Sequence, residues 1–278
     1  MDIGSLSSRL KKAEDGIWYS TDDEAISYPQ EGNEDCFALE STSWWFNHRN
    51  ECIVSLVKAF PPPAGGNVFD IGGGNGFVSM GLQDAGMQVV LVEPGRIGAR
   101  NAKARGIENV VCATTRTAGF GPGSLPAIGL FDVIEHIEDD VGFLREVRGM
   151  LRDDGRLYAT VPTFQWLWSD EDVRAGHHRR YARSSITRVL ERAGFDVEYS
   201  TYFFRILPLP ILLLRALPFR LGVSRSADPR RTSSQDHESG KASGIVRSLL
   251  KPEITSIRRG KPMSFGGSCL LVARSTKG

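Results

Sequence analysis

One stretch constrains the fold of this chain more than any other: Val68-Phe69-Asp70-Ile71-Gly72-Gly73-Gly74-Asn75-Gly76. A short apolar run carries a carboxylate, glycines crowd the next positions, and Phe77-Val78-Ser79-Met80-Gly81-Leu82 then begins a helical pattern. That order predicts a strand, a tight turn and a helix start. Glycine suits the turn because it adopts positive φ freely and lets the backbone approach a ligand with no Cβ in between. Amides of the first helical turn lack intrahelical acceptors, so they face whatever fills the crevice. A chain built on such a unit is expected to form an α/β sheet with its ligand outside the carboxyl ends of the strands.

Two ligand classes use turns of this kind. A dinucleotide turn reads G-x-G-x-x-G, its third glycine allowing close packing of helix on strand. Counted from Gly72, that third place is Phe77. The stretch reads instead as D-x-G-x-G-x-G from Asp70 to Gly76. An acidic group inside the turn opposes a pyrophosphate and suits a ligand carrying an ammonium or sulfonium group. On these residues the chain resembles the class I S-adenosylmethionine-dependent methyltransferases, whose first motif has this form.

The following segments keep an alternating rhythm. Strands are predicted at 67–71, 88–93, 109–112, 127–133 and 156–161, with helices at 76–85, 95–105 and 139–151. Such β-α alternation predicts a parallel sheet covered by helices on both faces. Glu93 ends the second strand, where a carboxylate can accept hydrogen bonds from both ribose hydroxyls of a nucleoside; a solvated strand end is the plainer reading. Asp132-Val133-Ile134-Glu135-His136 resembles the fourth-strand motif of the small-molecule members of the family, and Leu151-Arg152-Asp153-Asp154-Gly155 resembles the turn before their fifth strand. After the third strand the family commonly places an acid that reaches the adenine amino group. This chain has Cys112-Ala113-Thr114-Thr115 there, which leaves Thr114 or a backbone carbonyl for that contact.

Two further matches point to a bacterial subset of the family. Trp44-Trp45-Phe46 with Arg49 opens a helix that Pro61-Pro62-Pro63 stops, and in the subset such a helix covers the cofactor with its arginine near the methionine carboxylate. Ordinary aromatic core packing is the competing reading for Trp44 and Trp45. Gly176-His177-His178-Arg179-Arg180-Tyr181 resembles the subset's Gly-His-x-Arg-Arg-Tyr run after strand five. A near-neutral histidine there, His177 or else His136, could take the proton of an acceptor hydroxyl. Arg179 and Arg180, flanked by His178 and Tyr181, could hold a phosphate or carboxylate of the substrate, or pair with Asp170, Glu171 and Asp172. A reaction with no protein base is also open, since alignment with an activated methyl donor can suffice.

The resemblance implies a Rossmann-like, doubly wound seven-stranded sheet, mostly parallel with an antiparallel last strand, and an insertion between the last two strands. It implies S-adenosyl-L-methionine as cofactor, held by Trp45, Arg49, Asp70, Gly72, Gly73, Gly74, Gly76, Glu93, Pro94, Thr114, Asp132, Val133 and Ile134. The implied acceptor is a small molecule, a saccharide or a lipid-linked compound, methylated on oxygen if a histidine base operates. The expected organisation is an arm or lid at 1–42, a core at 43–204, an insertion at 205–263, and a final strand and tail at 264–278. Within the insertion, 206–221 is apolar but broken by prolines, too short for the roughly 20 residues of a membrane span, and suited to peripheral contact. The polar stretch 224–243 has the composition of a disordered segment.

A net charge of +1 supplies no field to draw nucleic acid. Cys36, Cys52, Cys112 and Cys269 are scattered without a C-x-x-C pair, so neither a disulfide framework nor a metal site is expected. The polar start, Met1 to Lys12, lacks an apolar signal core, and a cytoplasmic location follows as the expectation. A nicotinamide-dependent oxidoreductase and a non-catalytic binding module of the same fold are the alternatives.

Overall fold

The computed structural model describes residues 3–22, 37, 39–63, 66–223 and 241–276. Its strands are β1 (Leu10–Lys12), β2 (Trp18–Ser20), β3 (Val68–Ile71), β4 (Val89–Val92), β5 (Asn109–Cys112), β6 (Leu125–Phe131), β7 (Leu151–Pro162), β8 (Phe195–Phe203) and β9 (Ser268–Ser275). They form one sheet in the order β1-β2-β5-β4-β3-β6-β7-β9-β8. β5, β4, β3, β6 and β7 run parallel, while β9 is inserted antiparallel between β7 and β8. The helices are α1 (Trp44–Ala59), α2 (Phe77–Asp84), α3 (Arg96–Ala104), α4 (Asp140–Met150), α5 (Asp170–Ala175), α6 (Arg183–Arg192), α7 (208–220) and α8 (Lys241–Arg258).

The central strands β3, β4 and β6 are buried at every position, as expected of strands covered on both faces. Successive residues still serve opposite layers. Val68 packs with α1 and α8 on one face, whereas Phe69 joins the core beneath α4 and α6 on the other. This two-layer covering fixes which edge is open: the carboxyl ends of the parallel strands.

Nine strands stand among the described residues where seven were expected. The additional pair is the hairpin β1–β2, which continues the sheet beyond β5 through Trp18↔Val111 and Tyr19↔Cys112. So the first part of the expected arm is sheet; residues 23–36 of it lie outside the described residues. Three-residue strands carry no readable period, but the unpaired edge of β5 needs hydrogen-bond partners, and this hairpin supplies them.

The insertion also differs from expectation. Residues 224–240 of the polar stretch lie outside the described residues, and α8 follows as an 18-residue helix packed on α1. Glu253 of α8 is buried and accepts from the Phe204 and Arg205 amides at 2.8 Å each, and its Oε2 lies 3.0 Å from His48 Nε2 of α1. In α7 the helix widens at Leu212–Ala216, with the Leu217 N–H donating to Leu212 O five residues back, which carries the helix across a segment rich in proline.

Three non-glycine residues adopt positive φ: Asp132 (59°), Phe164 (60°) and Phe204 (59°). They stand just past β6, β7 and β8, so three neighbouring chain segments turn out of the sheet at the same edge. Left-handed non-glycine residues cost on the order of 1–3 kcal/mol and concentrate at functional sites. That edge is where the candidate site lies.

Candidate active site

The glycine turn is held from three sides. Gly72, at φ 71°, donates to Val92 O at 2.8 Å, and a Cβ on it would meet Val133 Cγ2 at 2.8 Å. Gly76, at φ 78°, precedes α2, and a Cβ there would meet Ala102 of α3 at 2.9 Å. Both positions therefore exclude any other residue. The turn is pressed between the end of β6 and α3, its backbone left bare.

Glu93, at the end of β4, accepts from the amides of Gly74 (2.9 Å) and Gly95 (2.7 Å). Its residue is only 7% exposed, and burial pushes the carboxyl up to about 7. Asp70 takes a different place from the one expected of a ligand contact. It is 1% exposed beneath the turn, where it accepts from Ser79 Oγ at 2.7 Å and ties the turn to α2. Burial pushes its carboxyl up to about 6. Beside Glu93, Cys112 Sγ reaches Pro94 O, and Thr114 caps the single helical turn Thr115–Ala118 by accepting from the Thr117 amide at 3.1 Å.

These raised carboxyls predict an unusual pH response. The native state binds a proton at Asp70 between about 4 and about 6, where an unfolded aspartate has already lost it. Stability contributed by this group therefore falls as pH rises through that window, by about 1.4 kcal/mol per unit. Buried Glu93 and Glu135 act in the same direction and His136, pushed down to about 4, in the opposite one, so the total curve does not isolate the effect of Asp70. The Asp70→Asn variant reveals it. In urea titrations from pH 4.5 to 6, the stability difference between variant and wild type should move in the variant's favour by about 1.4 kcal/mol per unit, and a constant difference would refute the desolvated carboxyl.

Where β6 and β7 leave the sheet, at Asp132 and Pro162, lies a cavity of about 570 Å³. One wall is polar, built from Asp132, Glu135, His177 and Arg180; the facing wall includes Leu207, Ile211 and Leu214 of the insertion. α1 closes the end of the cavity. Arg49 Nε donates to Asp132 Oδ2 at 2.6 Å and Nη2 to Phe131 O at 3.0 Å, while its guanidinium lies over the Trp45 ring at 5.8 Å. Trp45 stacks in turn on Phe204, with centroids 5.4 Å apart and planes within 6°. Trp44 packs edge-on against the same ring and belongs to the core.

The polar wall is dense in titratable groups. His136 and His177 stand perpendicular at 4.7 Å between ring centroids. Burial first, and the neighbouring His177 second, push His136 down to about 4, which makes it a neutral imidazole near pH 7. Glu135 is 1% exposed, and burial, reinforced by the charge of Asp132, raises its carboxyl far above the usual range. Its Oε2 has no hydrogen-bond partner among the described residues. Behind His177, buried Asp172 accepts from Arg180 Nε at 2.7 Å and meets His177 Nδ1 at 2.9 Å. Burial alone would raise Asp172, but the bonds from His177 and Arg180 hold it below the ordinary carboxylate value.

Of the four residues expected to bind substrate, Arg180 alone lines this cavity. Arg179 Nη1 instead donates to Asp140 Oδ2 at 2.8 Å, and the Tyr181 hydroxyl donates to the same oxygen at 2.8 Å, buried beneath the loop. His178 is exposed, with its backbone N–H on Glu135 O at 2.8 Å. A partly buried cation needs a counter-ion, and Asp140 at the start of α4 provides it. Glu135 and Phe204 are the site residues that sequence reasoning assigned no role; Asp172 was one of three acids expected to be able to pair with the loop arginines, and it pairs with Arg180. Glu135 lay within a motif already singled out; nothing local marks Phe204.

The methyltransferase-domain family matches residues 45–200 of this chain. The ubiquinone biosynthesis O-methyltransferase of Xanthomonas axonopodis pv. citri (strain 306) is 25% identical over 141 residues, covering 46% of this chain and 59% of that protein. The chain thus matches less than two thirds of the length of its curated relatives. Among solved structures, a SAM-dependent methyltransferase from Thermotoga maritima has a TM-score of 0.55 at 15% identity, over 88% of this chain and 96% of that one. Phosphoethanolamine N-methyltransferase 2 of Haemonchus contortus, in complex with S-adenosyl-L-methionine, has a TM-score of 0.51 at 19% identity, over 82% of this chain and 53% of that one. These structural likenesses establish a shared Rossmann-like fold with a mixed sheet.

Proposed function

The chain belongs to the class I S-adenosylmethionine-dependent methyltransferase-domain family, and on that premise we propose that it transfers a methyl group to an oxygen of a small, largely apolar acceptor. The observation that carries this reading is the cavity of about 570 Å³ at the exit of β6, lined both by polar side chains and by aliphatic ones from the insertion. Its size suits a small molecule with a few polar groups.

The residues of the crevice fit S-adenosyl-L-methionine. Gly72 to Gly76 leave backbone without side chains at the start of α2, and Glu93 offers a buried carboxylate for the ribose hydroxyls. Val133 and Ile134 would wall the other side, with Trp45 and Arg49 over the methionine end. When bound, this cofactor supplies a methyl group on a positively charged sulfur. The chain's own work is then alignment and exclusion of water, and orientation can lower a barrier by up to ~7–11 kcal/mol. The polar wall, with neutral His136 and Asp172-oriented His177, stands where an acceptor hydroxyl would lose its proton. Curated relatives that methylate oxygen support the choice of atom.

The apolar wall supports a hydrophobic or lipid-linked acceptor. Leu209, Leu213 and Leu217 extend it onto the surface, Leu209 being 63% exposed, and Arg220 flanks them. This pattern favours peripheral contact with an anionic membrane surface as the route of acceptor delivery. No helix among the described residues is long and apolar enough to cross a membrane. The free, buried thiols of Cys52, Cys112 and Cys269 favour a reducing compartment, consistent with the cytoplasm.

The test is stabilisation by ligand. S-adenosylhomocysteine at 100 times its dissociation constant should stabilise the native protein by about 2.7 kcal/mol, read as a raised melting temperature, and NAD(H) should not. Stabilisation by NAD(H) alone would move the protein to the oxidoreductases.

A further inference from the structure

Glu135, His136 and His177 each offer one atom able to ligate a metal, and these atoms all lie within 4.8 Å of one another. We propose that these three side chains form a binding site for a divalent first-row metal ion, of the Zn²⁺ type, at the polar wall of the acceptor cavity. No cysteine spacing announced it, because the ligands come from the turn after β6 and from the loop after α5.

Three observations converge on this site. The first is the buried Oε2 of Glu135, which lacks a hydrogen-bond partner among the described residues. A buried carboxylate oxygen left without a donor is costly, and a cation would satisfy it. The second is the support behind His177, whose Nδ1 is engaged by Asp172 at 2.9 Å, which leaves Nε2 with the lone pair. Metal-ligating histidines characteristically bond a carboxylate or carbonyl through their other nitrogen in this way. The third is location. Glu135 and His177 line the cavity, so coordination positions would remain open towards an acceptor, as in catalytic rather than structural metal sites.

A second cluster shows the contrast. His48, Cys52 and Glu253 also lie close together, but they are fully buried and satisfied by one another and by the Phe204 and Arg205 amides. That cluster is a structural hydrogen-bond network. Two imidazoles and one carboxylate favour Zn²⁺ or a neighbouring first-row ion over Mg²⁺ or Ca²⁺, which prefer oxygen ligands alone.

The role of the ion rests on the methyl-transfer reading. An acceptor hydroxyl oxygen lends a lone pair to the ion and releases its proton to solvent more readily. That oxygen then forms the bond to the methyl carbon as the methyl–sulfur bond breaks, with its electron pair passing to sulfur. One proton is released per turnover, and nothing is oxidised or reduced. His136 and His177 then act as ligands, which refines the assignment of either as a lone base.

The experiment uses the full chain, stripped with EDTA and desalted. Equilibrium dialysis against Zn²⁺ and, separately, Mg²⁺ is followed by elemental analysis, without S-adenosylmethionine. We expect one Zn²⁺ retained per chain and Mg²⁺ bound at least 100-fold more weakly. Glu135→Gln and His177→Gln should each lower Zn²⁺ affinity at least 100-fold, and Asp172→Asn by about 10–100-fold with the stoichiometry kept. Cys52→Ala should leave binding unchanged. The proposal is overturned if stripped wild-type protein retains no Zn²⁺, or if Cys52→Ala removes binding that Glu135→Gln spares. Stabilisation of each stripped variant by S-adenosylhomocysteine reports an intact fold and cofactor crevice. Its absence in wild-type protein that nevertheless takes up Zn²⁺ on dialysis sinks the methyl-transfer reading and leaves the metal site standing.

Discussion

Replacing Glu93 with glutamine should weaken binding of S-adenosylmethionine by about 100-fold at pH 8. Hydrogen bonds to a charged group contribute on the order of 1.5–3 kcal/mol, and the substitution removes the charge behind two of them. It also disturbs the crevice itself. The Glu93 carboxylate spans the amides of Gly74 and Gly95, whereas an amide side chain has a single acceptor oxygen and leaves one of those N–H groups unpaired. A difference of 1.4 kcal/mol is tenfold in affinity, so about 2.8 kcal/mol gives the stated effect. The same residue sets the pH dependence. Burial places its carboxyl at about 7, so protonation competes with the ribose hydroxyls below that value. Wild-type affinity should fall about tenfold between pH 8 and pH 6, while the variant stays nearly level. Isothermal titration at the two pH values checks both parts. An affinity within threefold of wild type at pH 8 would remove Glu93 from the nucleoside site.

Substituting Arg49 with methionine should destabilise the protein by about 2–3 kcal/mol and abolish turnover. The guanidinium is the counter-ion of Asp132, which sits in the left-handed region with its carboxylate 2.6 Å from Nε. Methionine keeps the packing on Trp45 but leaves Asp132 unpaired next to buried Glu135. Removing one partner of a buried pair typically costs about 3–5 kcal/mol; the Asp132 side chain is 27% exposed, which lowers the figure. Asp132→Asn in the same background should return part of the loss, because the uncompensated charge is then gone. A double-mutant cycle read from urea midpoints decides the matter. Additive effects within about 0.5 kcal/mol would show that the two side chains are not coupled. α1 would then need another anchor over the cavity.

The parts of this protein that were legible beforehand share one property: they depend on residues adjacent in the chain. The strand–turn–helix unit from Val68 to Leu82 follows from glycine's freedom at positive φ and from the apolar run before it. β5 falls on Asn109–Cys112, where the apolar pattern put it. Glu93 stands at a strand end because four buried aliphatic residues precede it. Asp132 to Ile134 leave β6 beside the glycine turn, where Val133 meets Gly72.

What remained hidden was decided by pairing across long separations. Arg49 and Asp132 are 83 residues apart, and His48 and Glu253 are 205 apart. In a sequence each reads as a plain charged residue, and several partners fit every one of them. The run His177 to Tyr181 looks like a single basic surface, yet the fold sends Arg179 and Tyr181 to Asp140 and leaves Arg180 with Asp172 at the cavity. The hairpin β1–β2 is likewise invisible until the open edge of β5 exists to receive it. Local backbone preference and side-chain period are set by neighbours in the chain, so the sequence alone determined the central parallel strands, the glycine turn and the carboxylate at the end of β4. Which charges meet, and which acid is left buried beside two histidines, follows from topology, because burial makes an unpaired charge costly and only the assembled sheet edge determines what lies within reach.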